Sequence, residues 1–312
     1  MLTQDTIGER VQASVPRDYS EYRSKEHGWL RELIWQMVTR TGAAVITAAT
    51  AGYARRVAPW RVHYPTLDMP IRGLHPDLEG LRIAQLTDLH LNSWTPAALL
   101  KQVVDKVNDS GCDVVCVTGD LVSDSYEDVR AAAELLSQLR PRVLVSLGNH
   151  DYATDAEGGP WAGTGIADKL QEALQAVGAT VLRNSSTMIE RGAGRICVVG
   201  LEDLWSGRFD PGPAVSGLPD DEPIIAMSHN PDTGPLLEPW RPHWILAGHT
   251  HGGQIRFPLI GPTLLPVRNR SFDQGLINLG FAQMYVCRGA GSKVPVRFRC
   301  PPEVPTFVLR RA

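Results

Sequence analysis

Five short apolar runs in this chain each lead directly into a residue able to ligate a metal or transfer a proton. Leu81–Leu86 leads into Asp88-Leu89-His90, Val114–Val117 into Gly119-Asp120, and Val143–Leu147 into Gly148-Asn149-His150-Asp151. Ile224–Met227 leads into Ser228-His229, and Trp244–Ala247 into Gly248-His249-Thr250-His251. The runs are rich in β-branched residues and read as buried strands. Ligands of such sheets gather at the carboxyl ends of the strands, so these strand ends, though spread over most of the sequence, can converge on one crevice.

A chain of 312 residues, 43% hydrophobic and 21% charged, has the composition of a soluble globular protein with a substantial core. The motifs favour one large domain over two ordinary ones. A net charge of -3, without a long basic run interleaved with aromatics, excludes the electrostatic footprint of a nucleic-acid binder. The cysteines (Cys112, Cys116, Cys197, Cys287, Cys300) are odd in number and lack Cys-x-x-Cys spacing. They read as small buried apolar side chains rather than a disulfide scaffold, which suits a reducing compartment.

Along the chain, residues 1–28 form a polar tail. Residues 29–56 form an apolar helical stretch that approaches bilayer-spanning length but contains Arg40 and many Ala and Thr residues. The expectation is a membrane anchor, as a marginal span or an amphipathic interfacial helix; the alternative is a soluble helix packed on the domain. Arg55-Arg56 follows the apolar stretch, which argues against a twin-arginine signal, and no small-residue cleavage site ends it. Residues 57–80, with Pro65, Pro70 and Pro76, read as a linker with an edge strand, and 81–312 as the main domain.

Within that domain, Thr95 as N-cap and Pro96 as first residue predict a helix carrying Leu99, Leu100, Val103, Val104 and Val107. Ser125-x-x-Asp128 opens a second helix through Leu139, and a third covers Ile166 to Val177. Beyond Arg195 strands dominate: Ile196–Gly200, Ile224–Met227, Trp244–Ala247, Gln254–Phe257, Met284–Cys287, Val296–Arg299 and Thr306–Leu309. The order predicts an α/β fold of two stacked sheets flanked by helices, the second sheet rich in antiparallel strands.

The residue types fit hydrolysis of a phosphate ester, which needs a nucleophilic hydroxide and neutralisation of growing charge; two cations about 3.5–4 Å apart supply both. Asp88 and His90, two apart, can face one ion, and His249 and His251 repeat that spacing. Asp120 is the expected bridging carboxylate, ligating one metal through each oxygen. Asn149 offers an amide oxygen and His229 an imidazole, a mixed set that suits Zn, Mn or Fe rather than thiolate-seeking ions. His150 is cast as proton donor to the leaving oxygen or as a clamp on the phosphate, with Asp151 orienting it. His27, His63, His75 and His243 receive no role.

Asp88-x-His90, Gly119-Asp120, Gly148-Asn149-His150-Asp151, His229 and Gly248-His249-x-His251 resemble, in that order, the calcineurin-like metallophosphoesterase superfamily. Gly-His-Thr-His-Gly-Gly-Gln at 248–254, Leu182-Arg183-Asn184, Val199–Asp203 and Ser228–Asp232 resemble its YkuE/YaeI-type bacterial phosphodiesterase branch. The resemblance implies a four-layer α/β/β/α sandwich of two stacked mixed sheets and a dinuclear centre of two divalent metal ions. Asp88, His90, Asp120 and His251 would hold the first metal; Asp120, Asn149, His229 and His249 the second, with His150 near the leaving group. The expected activity is a phosphodiesterase using a metal-bound hydroxide on a membrane-associated or lipid-linked phosphoester. A neighbouring branch, the UDP-2,3-diacylglucosamine pyrophosphatases of lipid A synthesis, is the alternative; a binding module with purely structural metals is a third reading. The pyrophosphatase would need an acyl groove, lined from 152–165 and 203–218 where Trp161, Trp205 and Phe209 cluster; local core is the competing reading of those aromatics. Arg288 is expected to be structural rather than a phosphate contact. Basic residues flank the apolar stretch on both sides and fix no orientation. The cysteines tilt the expected location to the cytoplasmic face of a membrane, with a soluble cytoplasmic protein as the alternative.

Overall fold

Each of the five apolar runs is a strand. The computed structural model describes residues 37, 48, 50–91, 94–123, 126–153, 165–219, 222–262, 264–292, 294 and 296–312. In chain order the strands are β1 (Thr66–Ile71), β2 (Arg82–Leu86), β3 (Val114–Thr118), β4 (Arg142–Ser146), β5 (Thr180–Val181), β6 (Ser185–Arg191) and β7 (Gly194–Gly200). They continue with β8 (Ile224–Met227), β9 (Trp244–Ala247), β10 (Arg256–Phe257), β11 (Gly261–Pro262), β12 (Gly275–Asn278), β13 (Gln283–Val286) and β14 (Thr306–Arg311). The helices are α1 (Ala97–Asn108), α2 (Tyr126–Leu136), α3 (Ile166–Ala176) and the short α4 (Pro211–Val215).

One sheet has the order β1-β14-β2-β3-β4-β5 and another β12-β13-β9-β8-β7-β6. Strand alternation explains their stacking, because successive side chains face opposite sides of a sheet. In the first sheet Ile83, Val114, Cys116 and Leu144 face a core shared with Ile225, Met227, Trp244 and Leu246 of the second. Their neighbours Ala84, Leu86, Val115, Val117 and Val145 face Leu100, Val103, Val104 and Val107 of α1 and Leu170 and Leu174 of α3. On the far side, Ala226, Ile245 and Ala247 meet Ala214 of α4 and Leu237 of the 3-10 segment Pro231–Trp240. The result is the α/β/β/α sandwich, with a thin outer layer on the second sheet. Full burial of each such aliphatic side chain contributes about 1.5–3 kcal/mol.

Several local expectations change. The second sheet is antiparallel only at its edges: β13, β9, β8 and β7 run parallel, while β12 and β6 pair antiparallel on the outside. Helix α1 begins one residue late, with Pro96 as N-cap and no side-chain cap; the Thr95 hydroxyl instead accepts the Ser292 amide at 2.9 Å. Helix α2 ends at Leu136, three residues before the expected Leu139. Val296–Arg299 is not a strand, Phe298 making only an isolated bridge to Ile255. Residues 66–71 of the expected linker and edge strand are the edge strand β1, parallel to β14 from Thr66 opposite Thr306.

Tyr53–Ala312 forms one compact unit. All five cysteines are free, and four of them are buried. Among the described residues no helix is long and apolar enough to cross a membrane. The polar tail, most of the apolar stretch, Ser125 and Trp161 lie outside the described residues.

Candidate metal centre

The carboxyl ends of β2, β3, β4, β8 and β9 meet at one edge of the two sheets. Pairing continues past the strands: the Asp88 amide donates to the Gly119 carbonyl at 2.9 Å, and the His90 amide to that of Asp120 at 3.1 Å. Across the other sheet, the Gly248 amide donates to the His229 carbonyl at 2.9 Å. These bonds hold the chain in turns that residues with a Cβ rarely make. Asp88, His90, Asp120, His249 and His251 have φ of 54°, 45°, 54°, 69° and 50°, left-handed conformations that persist only where surrounding structure determines them. Beneath the site, the buried Gln85 amide donates to the Thr118 hydroxyl at 2.9 Å and the Ala247 carbonyl at 3.0 Å, tying the two sheets together. The motif glycines make room for carboxylates: a Cβ on Gly148 would collide with Asp120 Oδ1, and one on Gly248 with Thr87 and Asp88.

The sequence-predicted ligands converge in two groups. Asp88, His90 and His251 form one, and Asp120, His229 and His249 the other, each with ligand atoms within 4.8 Å of one another and all residues buried. His251 Nε2 lies 3.3 Å from Asp88 Oδ1 and 3.0 Å from His90 Nε2. Asn149 Oδ1 lies 3.0 Å from His249 Nδ1, joining the second group. Asp120 stands between them: its Oδ2 is 3.6 Å from His90 Nε2 and 3.2 Å from His229 Nε2. One oxygen, Oδ2, therefore faces both groups. The other, Oδ1, accepts the His150 backbone amide at 2.9 Å.

Hydrogen counting tests whether these residues fit a pair of cations. The Thr118 carbonyl, 2.7 Å from His229 Nδ1, calls for a ring proton there, and the buried Nε2 faces Asp120 Oδ2 at 3.2 Å. His249 Nε2 lies 2.8 Å from the Pro266 carbonyl, and Nδ1 faces the Asn149 oxygen. A neutral imidazole has one proton and cannot satisfy both, so one acceptor faces another acceptor. Outer carbonyls of this kind fix the tautomer of a ligating histidine. Imidazole, carboxylate and amide donors fit divalent ions of the Mn, Fe or Zn type.

The electrostatics call for positive charge at the same place. Burial alone would raise the Asp120 carboxyl, but His229, His150 and His90 outweigh it and hold the group well below the ordinary range. Burial disfavours the charged His229, yet Asp120, Asp88 and Asp203 push it well above the usual histidine value. Those two shifts agree on an ion pair in which the His229 proton stands where a cation would. Burial pushes Asp88 up to about 6 against the opposing pull of His229, and burial takes His249 down to about 3. Metal uptake must displace the His229 proton throughout the neutral range and, below about pH 6, that of Asp88 as well. Metal affinity should therefore rise with pH, by about one log unit per pH unit above pH 6 and about two below it. Isothermal titration with Mn²⁺ between pH 5 and 8, about one unit per step, checks this; a flat profile contradicts it.

His150 follows β4 in the 3-10 turn Asn149–Tyr152. Its ring packs edge-on against His90, centroids 5.2 Å apart, and lines the cleft beside Asp120. Asp151, expected to orient that ring, has a different occupation. Its Oδ2 accepts the amides of Asp120 and Gly148, each at 2.9 Å, and its Oδ1 those of Leu121 at 2.9 Å and Val122 at 3.1 Å. Asp151 thus locks the turns after β3 and β4 to each other. Asp151→Asn would set an amide NH₂ against backbone donors and should cost about 2–4 kcal/mol of stability. Urea unfolding measures that cost; an unchanged midpoint would remove this role.

The site opens into a cleft of about 490 Å³ whose polar floor includes Asp120, Asn149, His150 and His249. Its walls are apolar: Trp205, Ile255, Leu264, Leu265, Pro266 and Val294. Trp205 stands edge-on to His249, centroids 4.6 Å apart. Phe209 instead packs on the outer core, so among the described residues Trp205 alone of the aromatics expected to line a groove does so. Arg288 pairs with the buried Glu303, the structural role expected of it. Residues that spacing did not single out also contribute. Asn230 Nδ2 lies 3.3 Å from His249 Nε2, and buried Asp203 caps the turn that carries Trp205. Fully buried Arg297 donates to the carbonyls of Arg288 and Gly291 and stands 3.5 Å from His251 Nδ1. Asp203, three residues past β7, and Asn230, three past β8, repeat the strand-end signal that marks the ligands.

A family model described as calcineurin-like phosphoesterase matches residues 81–253. The chain is 31% identical over 287 residues to the uncharacterized metallophosphoesterase YkuE of Bacillus subtilis, covering 90% of this chain and 97% of that one. It is 30% identical to the phosphodiesterase YaeI of Escherichia coli, covering 86% and 96%. It is 28% identical to the UDP-2,3-diacylglucosamine pyrophosphatase LpxG of Chlamydia muridarum, covering 86% and 95%.

Proposed function

Because the chain belongs to the calcineurin-like phosphoesterase family and is a hydrolase of phosphoester bonds, we propose that it is a phosphodiesterase acting on a lipid-linked substrate. The observation carrying this reading is the apolar-walled cleft of about 490 Å³ that ends on Asp120, Asn149 and the histidines. A free phosphate monoester needs no such walls; an acyl or prenyl chain beside a phosphoryl group does.

Asp88, His90, Asp120 and His251 would hold one divalent ion, and Asp120, Asn149, His229 and His249 the other, with Mn, Zn or Fe the fitting identities. When bound, such a pair supplies Lewis acidity and an acidified water. Asp120, whose Oδ2 faces both ligand groups, would be the residue that the two ions share. Thr118 and Pro266 keep His229 and His249 in the ligating tautomers through their carbonyls. A ring N–H of His150 delivers the proton to the leaving oxygen, and the Asp120–His150 backbone contact fixes its distance from the metals. Trp205 and Leu264 keep bulk water from the floor.

The apolar wall and the LpxG relative also favour a second reading, hydrolysis of the pyrophosphate of a UDP-linked lipid. We propose residues 29–56 as the membrane-attached segment, 57–80 as the linker with the edge strand and 81–312 as the catalytic domain. The test is to purify the chain, measure bound metal, and assay an activated phosphodiester, a phosphomonoester and the UDP-lipid side by side. Faster turnover of the diester than of the monoester, lost with chelator and restored by Mn²⁺, is expected. Cleavage of the UDP-lipid alone would replace the phosphodiesterase reading with the pyrophosphatase one. Tightly held metal with no turnover on any of the three would leave a structural metal site.

A further inference from the structure

A hairpin of apolar residues stands at the mouth of the cleft. β10 and β11 pair antiparallel with Phe257 opposite Gly261, leaving Pro258, Leu259 and Ile260 as the tip. Leu259 is 108% exposed and Ile260 74%, and Phe257 and Leu264 beside them are also exposed. Single exposed apolar residues are ordinary, but a contiguous set on a projecting turn marks a contact surface. Leu259 also has a φ of 65°, a conformation leucine rarely adopts.

The apolar surface extends both ways from this tip. Toward the metals it continues into Ile255, Leu264, Leu265 and Val294 of the cleft wall. In the other direction Phe257 meets Phe298, centroids 6.4 Å apart, and the Arg256 amide donates to the Phe298 carbonyl at 3.0 Å. The next residue, Arg299, lines a second hollow of about 480 Å³ with Tyr53, Trp60, Arg61 and Tyr64.

The border of this surface is aromatic and basic. Tyr53, Trp60 and Tyr64 are exposed, as are Arg55, Arg56, Arg61 and Arg299. Exposed Arg270 reaches the hairpin itself, donating to the Pro262 carbonyl at 2.8 Å. The neighbouring carboxylates of Asp273 and Glu303 are already paired with Arg256 and Arg288, so the border keeps its positive charge. Trp, Tyr and Arg around an apolar tip match a bilayer interface, with rings at headgroup depth and guanidinium groups on anionic lipid phosphates.

We infer that this face docks the domain on an anionic lipid bilayer, with Leu259 and Ile260 dipping among the acyl chains and the metal cleft opening at the membrane surface. The contact lies beyond the apolar core of residues 29–56, whose end supplies Tyr53, Arg55 and Arg56 to the border, and it does not rest on the hydrolase reading. A consequence is that phosphorus in a lipid headgroup reaches the cleft without the lipid leaving the bilayer.

The test uses the full chain with Ile260→Cys carrying an environment-sensitive fluorophore, in a Cys112→Ser background because the other four cysteines are buried. Vesicles are phosphatidylcholine with about one quarter phosphatidylglycerol, enough to set a negative surface potential. The label should brighten on vesicle addition and be quenched by spin labels in the acyl region. Leu259→Asp with the same label should show about one tenth or less of the parent's label insertion into vesicles, whether or not the chain sediments with them, while cleaving a soluble phosphodiester at the parent rate. A label that stays in water while the chain sediments with vesicles overturns the inference. So does a label that becomes buried without vesicles as protein concentration rises, which would identify a second copy as the occupant. A label that enters lipid on a chain with no hydrolytic activity supports docking and overturns the proposed function instead.

Discussion

Asp120→Ala should release both metal ions and lower kcat/KM for a phosphodiester by about 10³-fold or more, as expected when a two-metal site loses its shared ligand. The size of the effect follows from one atom. Asp120 Oδ2 lies 3.6 Å from His90 Nε2 and 3.2 Å from His229 Nε2, so its removal takes a ligand from both groups at once. It also takes away the negative charge that most favours positive charge on His229. Two divalent ions about 4 Å apart without that anion between them would repel by roughly four times the ~4 kcal/mol of a unit-charge pair in a partly solvated site. Metal analysis after gel filtration, paired with kinetics, checks the result. A variant that keeps two ions per chain and full turnover would remove Asp120 from the bridge.

His150→Gln should leave metal content unchanged and lower kcat by about 10²–10⁴-fold, the usual contribution of a positioned general acid. The His150 ring belongs to neither ligand group, while its backbone amide is held by Asp120 Oδ1 at 2.9 Å and its ring lines the cleft. The loss should be small for a nitrophenyl ester, whose leaving group needs no proton, and large for an alkyl ester. Equal losses on both would recast the ring as an electrostatic clamp on the phosphate. A drop in bound metal would make it a ligand.

Much of the site was legible because each ligand follows an apolar run short enough to be only a strand, and strand ends in stacked α/β sheets share an edge. The same runs could not reveal the strand order. The centre of the second sheet is parallel because β7, β8, β9 and β13 are buried on both faces, and continuous apolar runs look alike in either orientation. Asp151 was misread for a different reason. Its partners are the amides of residues 120–122 and 148, and backbone donors thirty positions away leave no trace in spacing. Glycines stand beside Asp120, His249 and His251, but the left-handed φ values fall on Asp88, His90, Asp120, His249 and His251 themselves, which residue type does not announce. Of the hairpin at 256–262 the sequence showed only the first arm, read as the strand Gln254–Phe257; its return arm and its exposed tip, Leu259 and Ile260, carry no strand signal.

The central claim is that two ions share Asp120. Crystals of the Mn²⁺-loaded chain, measured at the manganese edge, should show two anomalous peaks about 3.5–4 Å apart. One should lie against Asp88, His90 and His251 and the other against Asn149, His229 and His249, with Asp120 Oδ2 between them. A single peak, or two peaks too distant for one carboxylate oxygen to touch both, would contradict the account.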